Sequence, residues 1–202
     1  MKSFSILSAA IFGIFLATSG AALAVDSDPQ DVSDQPAQQP VQKSCLEWAE
    51  IAERYYRMPK GMMVALIQNE SRGNANALNI DGKAVLATSA EMAALIVVAR
   101  SKTATQIDVG CGQINLKWHA SGFKTLGTLL DPRINVSYAA WHLSNLQKQT
   151  GSWVKAAARY HSYKPENQER YICRLWETMK KNKAQAVEMS EVCGSQQTSA
   201  LQ

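Results

Sequence analysis

What this sequence lacks narrows its chemistry before any motif is read. It has no Cys-x-x-Cys pair, and its three histidines, His119, His142 and His161, are not spaced as zinc ligands, so no metal or other cofactor is expected. There is no Lys/Arg-rich block, which removes nucleic acid from the expected partners. The net charge of +4 is a mild basicity that suits anionic wall polymer or a lipid surface. No internal repeat is present, so a stacked-repeat architecture is excluded. The one long apolar run, Phe4 to Ala17, falls short of the ~20 residues that a membrane-spanning helix needs, and no basic cluster follows it. Lys2 before that run and Ala22-Leu23-Ala24 after it fit a secretory signal peptide over residues 1–24. No cysteine follows the expected cut. Neither a stable membrane anchor nor a lipid anchor is therefore expected, and the chain reads as exported, to the periplasm or beyond.

Cysteine usage agrees with export. Cys45, Cys111, Cys173 and Cys193 form an even set, which in an exported chain points to two disulfides with three possible pairings. Residues 25–43, rich in Pro, Gln and Asp and without an aromatic, cannot bury enough apolar surface to offset ordering entropy, and read as a disordered linker. Residues 194–202 read as a flexible tail by the same reasoning. One domain is left, over residues 44–193.

Helical signals dominate it. Ser44 with Glu47 three residues on forms a capping box, ahead of Leu46, Ala49, Ile51 and Ala52 at roughly helical spacing. Pro59 suits the first turn of a second helix that reaches Glu70, with Gly73 at its exit. Ser89 caps "AEMAALIVVAR"; Asp131-Pro132 opens a helix to about Gln149 that Gly151 stops; Ser152 caps another through Tyr160; and Pro165 starts a last one through about Lys183. Asp81-Gly82 within "NIDGKAVLAT" signals a hairpin. "DVGCGQIN" reads as a glycine-bearing loop. The expected fold is mainly α, with a small β-hairpin beside a cleft.

One carboxyl is singled out by its position. Met63, Leu66, Ile67 and Glu70 fall at i, i+3, i+4 and i+7, one stripe of a helix, so Glu70 projects from the face that packs inward. Desolvation disfavours the charged form of a carboxyl placed there. A neutral carboxyl is the proton donor that cleavage of an acetal requires.

Four motifs, in order, carry a family resemblance: "ALIQNESRGN" (65–74), "DVGCGQINLKWH" (108–119), "DPRINVSYAAWHL" (131–143) and "ARYHSYKP" (158–165). With them the chain resembles the SLT-type lytic transglycosylases, enzymes of lysozyme-like fold that cut the glycan strand of peptidoglycan, across roughly residues 45–180. The resemblance implies Glu70 as the sole catalytic acid and base. It also implies Ser71, Gln113, Asn115, Tyr160 and His161 as substrate-binding residues, with the Tyr160 hydroxyl close to the Glu70 carboxyl and His161 at the rim. Glycine at 110 and 112 would let backbone approach a sugar closely. Two departures mark a subgroup: Cys111-Gly112 stands where Leu-Met is commoner, and His161-Ser162 where Asn is usual. Within this resemblance Cys111 would pair with Cys45, pinning the first helix beneath the active-site loop, which leaves Cys173 for Cys193.

Most glycosidases flank the scissile bond with two carboxylates. Only Glu70 has a motif behind it here, which implies a substrate-assisted cleavage between MurNAc and GlcNAc that ends in 1,6-anhydro-MurNAc. Two other readings compete. A lysozyme-like muramidase would use Asp81 or Asp108 to activate water, and a non-catalytic assembly factor would only bind peptidoglycan. The expected partner is the glycan strand, the expected state a monomer. By resemblance the protein opens the wall locally for an envelope-spanning secretion, conjugation or pilus machine.

Overall fold

Helix starts follow the polar caps. The computed structural model describes residues 42–184, 189, 190 and 193; the expected signal peptide, nearly all of the expected linker and the tail lie outside them. Helix α1 (Cys45–Tyr56) begins at Ser44, whose hydroxyl accepts from the Glu47 amide while the Glu47 carboxylate accepts from the Ser44 amide. Helix α2 (Met62–Ser71) starts later than Pro59 suggests, because its cap is Gly61, which has a left-handed φ and no side chain to offer. Glu53 of α1 takes over that role. Only 8% exposed, its carboxylate accepts from the backbone N–H groups of Gly61 and Val64, each at 3.0 Å. A negative group thus sits at the positive end of α2 and locks it to α1, which fixes where the other end, with Glu70, lies.

The hairpin announced by Asp81-Gly82 forms between β1 (Leu78–Ile80) and β2 (Lys83–Val85), with both turn residues at positive φ. Helix α3 (Ala90–Arg100) follows from its Ser89 cap and leaves Met92, Leu95 and Val98 exposed. Across "DVGCGQIN" the structure departs from a plain loop. Strands β3 (Ile107–Val109) and β4 (Ile114–Asn115) extend the hairpin to a four-stranded antiparallel sheet in the order β2-β1-β3-β4. Its register sets Asp108 between Asn79 and Asn115, so these three polar residues share one face of the sheet. Strands of three and two residues are too short for an alternating pattern to show in the sequence.

Short α4 (Leu116–His119) and α5 (Leu126–Leu130) lead to α6 (Pro132–Thr150), which starts at the Asp131 cap with Pro132 in its first turn and stops at Gly151. Helices α7 (Trp153–His161) and α8 (Pro165–Lys181) close the domain. Helix α6 packs against both α1 and α7, and α8 against α2 and α7. Small residues make this possible: Ala139 and Ala140 of α6 and Ala156 and Ala157 of α7 are wholly buried, letting backbones approach closely, while Met63, Leu66 and Ile67 of α2 fill the core beneath Glu70.

Two disulfides complete the frame. Cys45 joins Cys111 across a separation of 66 residues, tying the start of α1 to the β3–β4 turn, and Cys173 joins Cys193 across 20. In the chain-entropy account the longer ring contributes about 4 kcal/mol and the shorter about 3 kcal/mol.

Candidate active site

The last turn of α2 leaves Glu70 in a half-closed position. Its side chain is 13% exposed, and its Oε1 atom is buried without a hydrogen-bond partner. His161 at the end of α7 brings Nδ1 to 3.8 Å from that oxygen, too far for a hydrogen bond but near enough for charge to matter. The His161 ring stacks on Tyr171 of α8, with centroids 4.2 Å apart and planes at 7°. The Tyr171 hydroxyl is buried beside Glu70, and the contact between the two falls short of hydrogen-bond geometry. Burial, reinforced by the Glu70 charge and its pull on the phenol proton, holds the Tyr171 pKa well above its ordinary value. This phenol stays neutral and keeps its proton as a donor.

Tyr160 lies close to the same carboxyl but faces elsewhere. Burial first, and then the charges of Glu70 and Asp108, raise its pKa well above the ordinary value. Its hydroxyl donates to the Gly112 carbonyl at 2.7 Å rather than to Glu70. The glycines explain why. A Cβ at Gly112 would sit 2.7 Å from the Ala139 Cβ and 3.0 Å from the Tyr160 hydroxyl, while one at Gly110, where φ is +77°, would strike the Asn135 amide. Both glycines clear space for the protein's own side chains.

Asn135 is the hub of this packing. It is 0% exposed, accepts from the Gly112 N–H at 2.7 Å, and donates to the carbonyls of Val109 and Leu129 at 3.0 and 2.9 Å. Strand β3, the following turn and the end of α5 are therefore held by one amide.

Three residues expected to touch substrate make hydrogen bonds that hold the frame. Ser71 is 8% exposed, and its hydroxyl donates to the Ile67 carbonyl and accepts from the Gly73 N–H. The amide of Gln113, a residue at positive φ, donates to the carbonyls of Gly110 and Ala77. Asn115 donates to Asp108 at 2.7 Å and accepts from the Lys117 N–H. A helix end and a tight turn leave backbone groups unpaired, and these side chains satisfy them.

The two aspartates differ sharply. Asp81 is exposed and accepts from the Thr105 hydroxyl at 2.7 Å and from the N–H groups of Thr105 and Gln106, with the Thr105 hydroxyl the main cause of its lowered pKa. It fastens the β1–β2 turn and plays no part at Glu70. Asp108 is half-buried; burial raises its pKa and the Glu70 charge adds to this, against the hydrogen bonds of Gln106 and Asn115 and the charge of His161. Glu70, Asp108, Tyr160, His161 and Tyr171 thus form one electrostatically coupled group.

The family model of the transglycosylase SLT domain matches residues 47–171, more than half of the chain, a span that includes all four motifs. The chain belongs to this family. Comparisons with curated proteins and with solved structures returned no match. Membership gives the mainly α, lysozyme-like fold and, in general terms, the activity of a peptidoglycan lytic transglycosylase.

One cavity of this SLT domain, about 530 Å³, lies between Tyr56, Phe123, Arg133, Tyr138 and Trp141, and Glu70 is not in its lining. A line of rings joins it to the centre: Tyr138 bonds His119 at 3.0 Å, His119 meets His142 at 4.8 Å, and His142 meets Tyr160 at 5.5 Å. A smaller pocket opens at His161, the residue whose Nδ1 lies 3.8 Å from Glu70. Tyr171 was not singled out by the sequence, where it reads as one more apolar position of α8.

The SLT domain also carries a pH-sensitive contact. Burial, and then the charge of His119, lower the His142 pKa from 6.5 to about 4. The folded protein binds this proton less readily than the unfolded chain does, so stability is full above pH 6.5, declines as the pH falls toward 4 and is flat below. Thermal melts across that range should show the decline, and His142→Gln should make it shallower, with His119, whose pKa burial also lowers, supplying part of the rest; a variant with the wild-type slope would remove His142 as a cause.

Proposed function

We propose that the protein cleaves the β-1,4 bond between MurNAc and GlcNAc with Glu70 as its only acid and base, and closes a 1,6-anhydro ring on MurNAc. The observation that carries this reading is the placement of Glu70, whose Oε1 is buried without a hydrogen-bond partner while the side chain as a whole keeps 13% exposure, so that desolvation and access meet at one carboxyl. In the first step protonated Glu70 gives its proton to the glycosidic oxygen as the C1–O bond breaks, and the MurNAc N-acetyl oxygen stabilises C1. Glu70, now a carboxylate, then takes the proton of the C6 hydroxyl of the same sugar, and O6 bonds to C1. The proton returns to Glu70 and no water is consumed, which makes the reaction a lyase step. His161 and Tyr171, whose phenol stays neutral, attend the carboxylate between the two transfers, and Gln113 and Asn115 shape the wall around it.

The muramidase reading draws support from Asp108, whose charge is coupled to that of Glu70. Against it, the Asp108 carboxylate oxygens accept from Gln106 at 3.0 Å and Asn115 at 2.7 Å, which gives Asp108 a task in the sheet, whereas Glu70 Oε1 has no such partner. A non-catalytic assembly factor would leave the unpartnered Glu70 without a use. Mass spectrometry of the soluble muropeptides released from purified peptidoglycan separates the three. Anhydro-MurNAc ends are expected; reducing ends, heavier by one water, would replace the mechanism with hydrolysis, and no release would favour the binding role.

The two disulfides and a peptidoglycan substrate fit an exported protein, and the periplasm is the compartment proposed. The wider role proposed is local wall opening for a secretion, conjugation or pilus machine, which rests on the family resemblance. A cell whose only copy is Glu70→Gln, yet which assembles that machine normally, would remove the role.

A further inference from the structure

Beside Glu70 lies a polar feature that acid–base cleavage does not use. A pocket of about 250 Å³ is lined by His161, Asn167, Arg170, Tyr171 and Arg174. His161 is the wall it shares with the reacting centre, since the same ring stands 3.8 Å from Glu70 and stacks on Tyr171. Arg174 follows Arg170 by four positions on α8, so both guanidinium groups rise from one helix face. Each is held in place without being neutralised. Arg174 lies over the Tyr171 ring at 5.3 Å from its centroid, while Arg170 donates to the Asn167 side-chain oxygen at 2.7 Å and to the Glu166 carbonyl at 3.2 Å. Neither pairs with a carboxylate among the described residues.

Two positive groups that face one small polar pocket repel each other unless an anion lies between them. Arginine's planar fork matches a carboxylate in shape as well as charge. Glu70 acts at a sugar bond, and the sugar whose C1 bond breaks in the proposed reaction carries an acidic arm on the same ring, the 3-O-lactyl group of MurNAc. The neighbouring GlcNAc has no such group. We propose that the Arg170–Arg174 pocket binds a carboxylate borne on this arm, either the lactyl carboxylate itself in a bare strand or a carboxylate of the peptide stem joined to it. The proposal rests on the reading of Glu70 as a glycan-cleaving residue and adds to it a source of substrate selectivity. Arg174 lies past residue 171, where the family match ends, so membership alone does not supply the pocket.

The test is a binding measurement that turnover cannot disturb. In the full chain carrying Glu70→Gln, calorimetry would give the Kd for three probes: stem-bearing glycan oligomers, the same oligomers stripped of stems by an amidase, and neutral chitin oligomers. Adding Arg170→Ala with Arg174→Ala is expected to weaken binding of an acidic probe at least about tenfold and to leave the chitin oligomers within about twofold. Arg170→Lys with Arg174→Lys should recover part of the loss, since charge returns without the paired fork. A loss confined to stem-bearing oligomers assigns the peptide carboxylate, a loss confined to stripped oligomers, in which the lactyl carboxyl is no longer an amide, assigns the lactyl carboxylate, and an equal loss on both means that the pocket takes either. Unchanged affinity for both acidic probes would overturn the proposal, and so would an equal loss on chitin oligomers, which would mean contact with sugar rather than charge. Both arginines are exposed, and circular dichroism would confirm that the variants fold. Turnover by the Glu70 protein is scored separately, so absence of anhydro products would sink the mechanism and leave the pocket standing.

Discussion

Glu70→Gln is expected to lower the release of anhydro-muropeptides about 10²- to 10⁴-fold, the range that one positioned acid and base supplies. The argument is geometric as well as chemical. Glutamine keeps the size of the side chain at the end of α2 but can neither give up an acid proton nor take one from a sugar hydroxyl, so both proposed transfers fail together. The fold should survive, because the buried Oε1 of Glu70 has no hydrogen bond to lose and the side chain keeps its place against Tyr171 and His161. Parallel assays of product release and of binding to purified wall material would show turnover gone and binding retained. A loss smaller than tenfold would mean that another group supplies the acid, and Asp108 would be the first to examine.

Asn135→Asp is expected to do the opposite, leaving every proposed reacting group in the chain and removing the frame that places them. The substitution hardly changes shape. It replaces an amide that donates to the Val109 and Leu129 carbonyls with an oxygen that faces both, and it puts a charge at a site that is 0% exposed. Two lost donors at about 1–3 kcal/mol each, with the desolvated charge added, give a destabilisation of about 5 kcal/mol. For a domain of this size that lowers Tm by roughly 10–20 °C. Differential scanning calorimetry would measure it. A drop under about 3 °C would mean that the Gly112 turn holds itself, and that the hub role of Asn135 is wrong.

The helices were legible because their ends carry local chemistry. Ser44 with Glu47, Ser89, Asp131-Pro132, Ser152 and Gly151 mark boundaries that the structure places within a residue or two of where they are read. The start of α2 was misread at Pro59 because its cap is not local: Glu53 supplies it from eight residues before Gly61. Half of the sheet was legible as a hairpin, while β3 and β4 hid inside a glycine-bearing motif whose glycines make room for Asn135 and Tyr160. The inward direction of Glu70 could be read from a stripe of four residues. Its neighbours could not. Tyr171 follows it by about a hundred positions and sits in the apolar pattern of α8, and Arg170 and Arg174 look like the solvent side of any helix until His161 is set beside them.

The bond between Cys45 and Cys111 closes only where thiols are oxidised. Before that happens, the turn bearing Gly112 and Gln113 has Asn135 to hold it but no covalent tie to α1. The last fastening of the wall beside Glu70 therefore comes from the redox state of the surroundings, and a chain in a reducing compartment carries Glu70 and its neighbours without the clamp between this turn and α1.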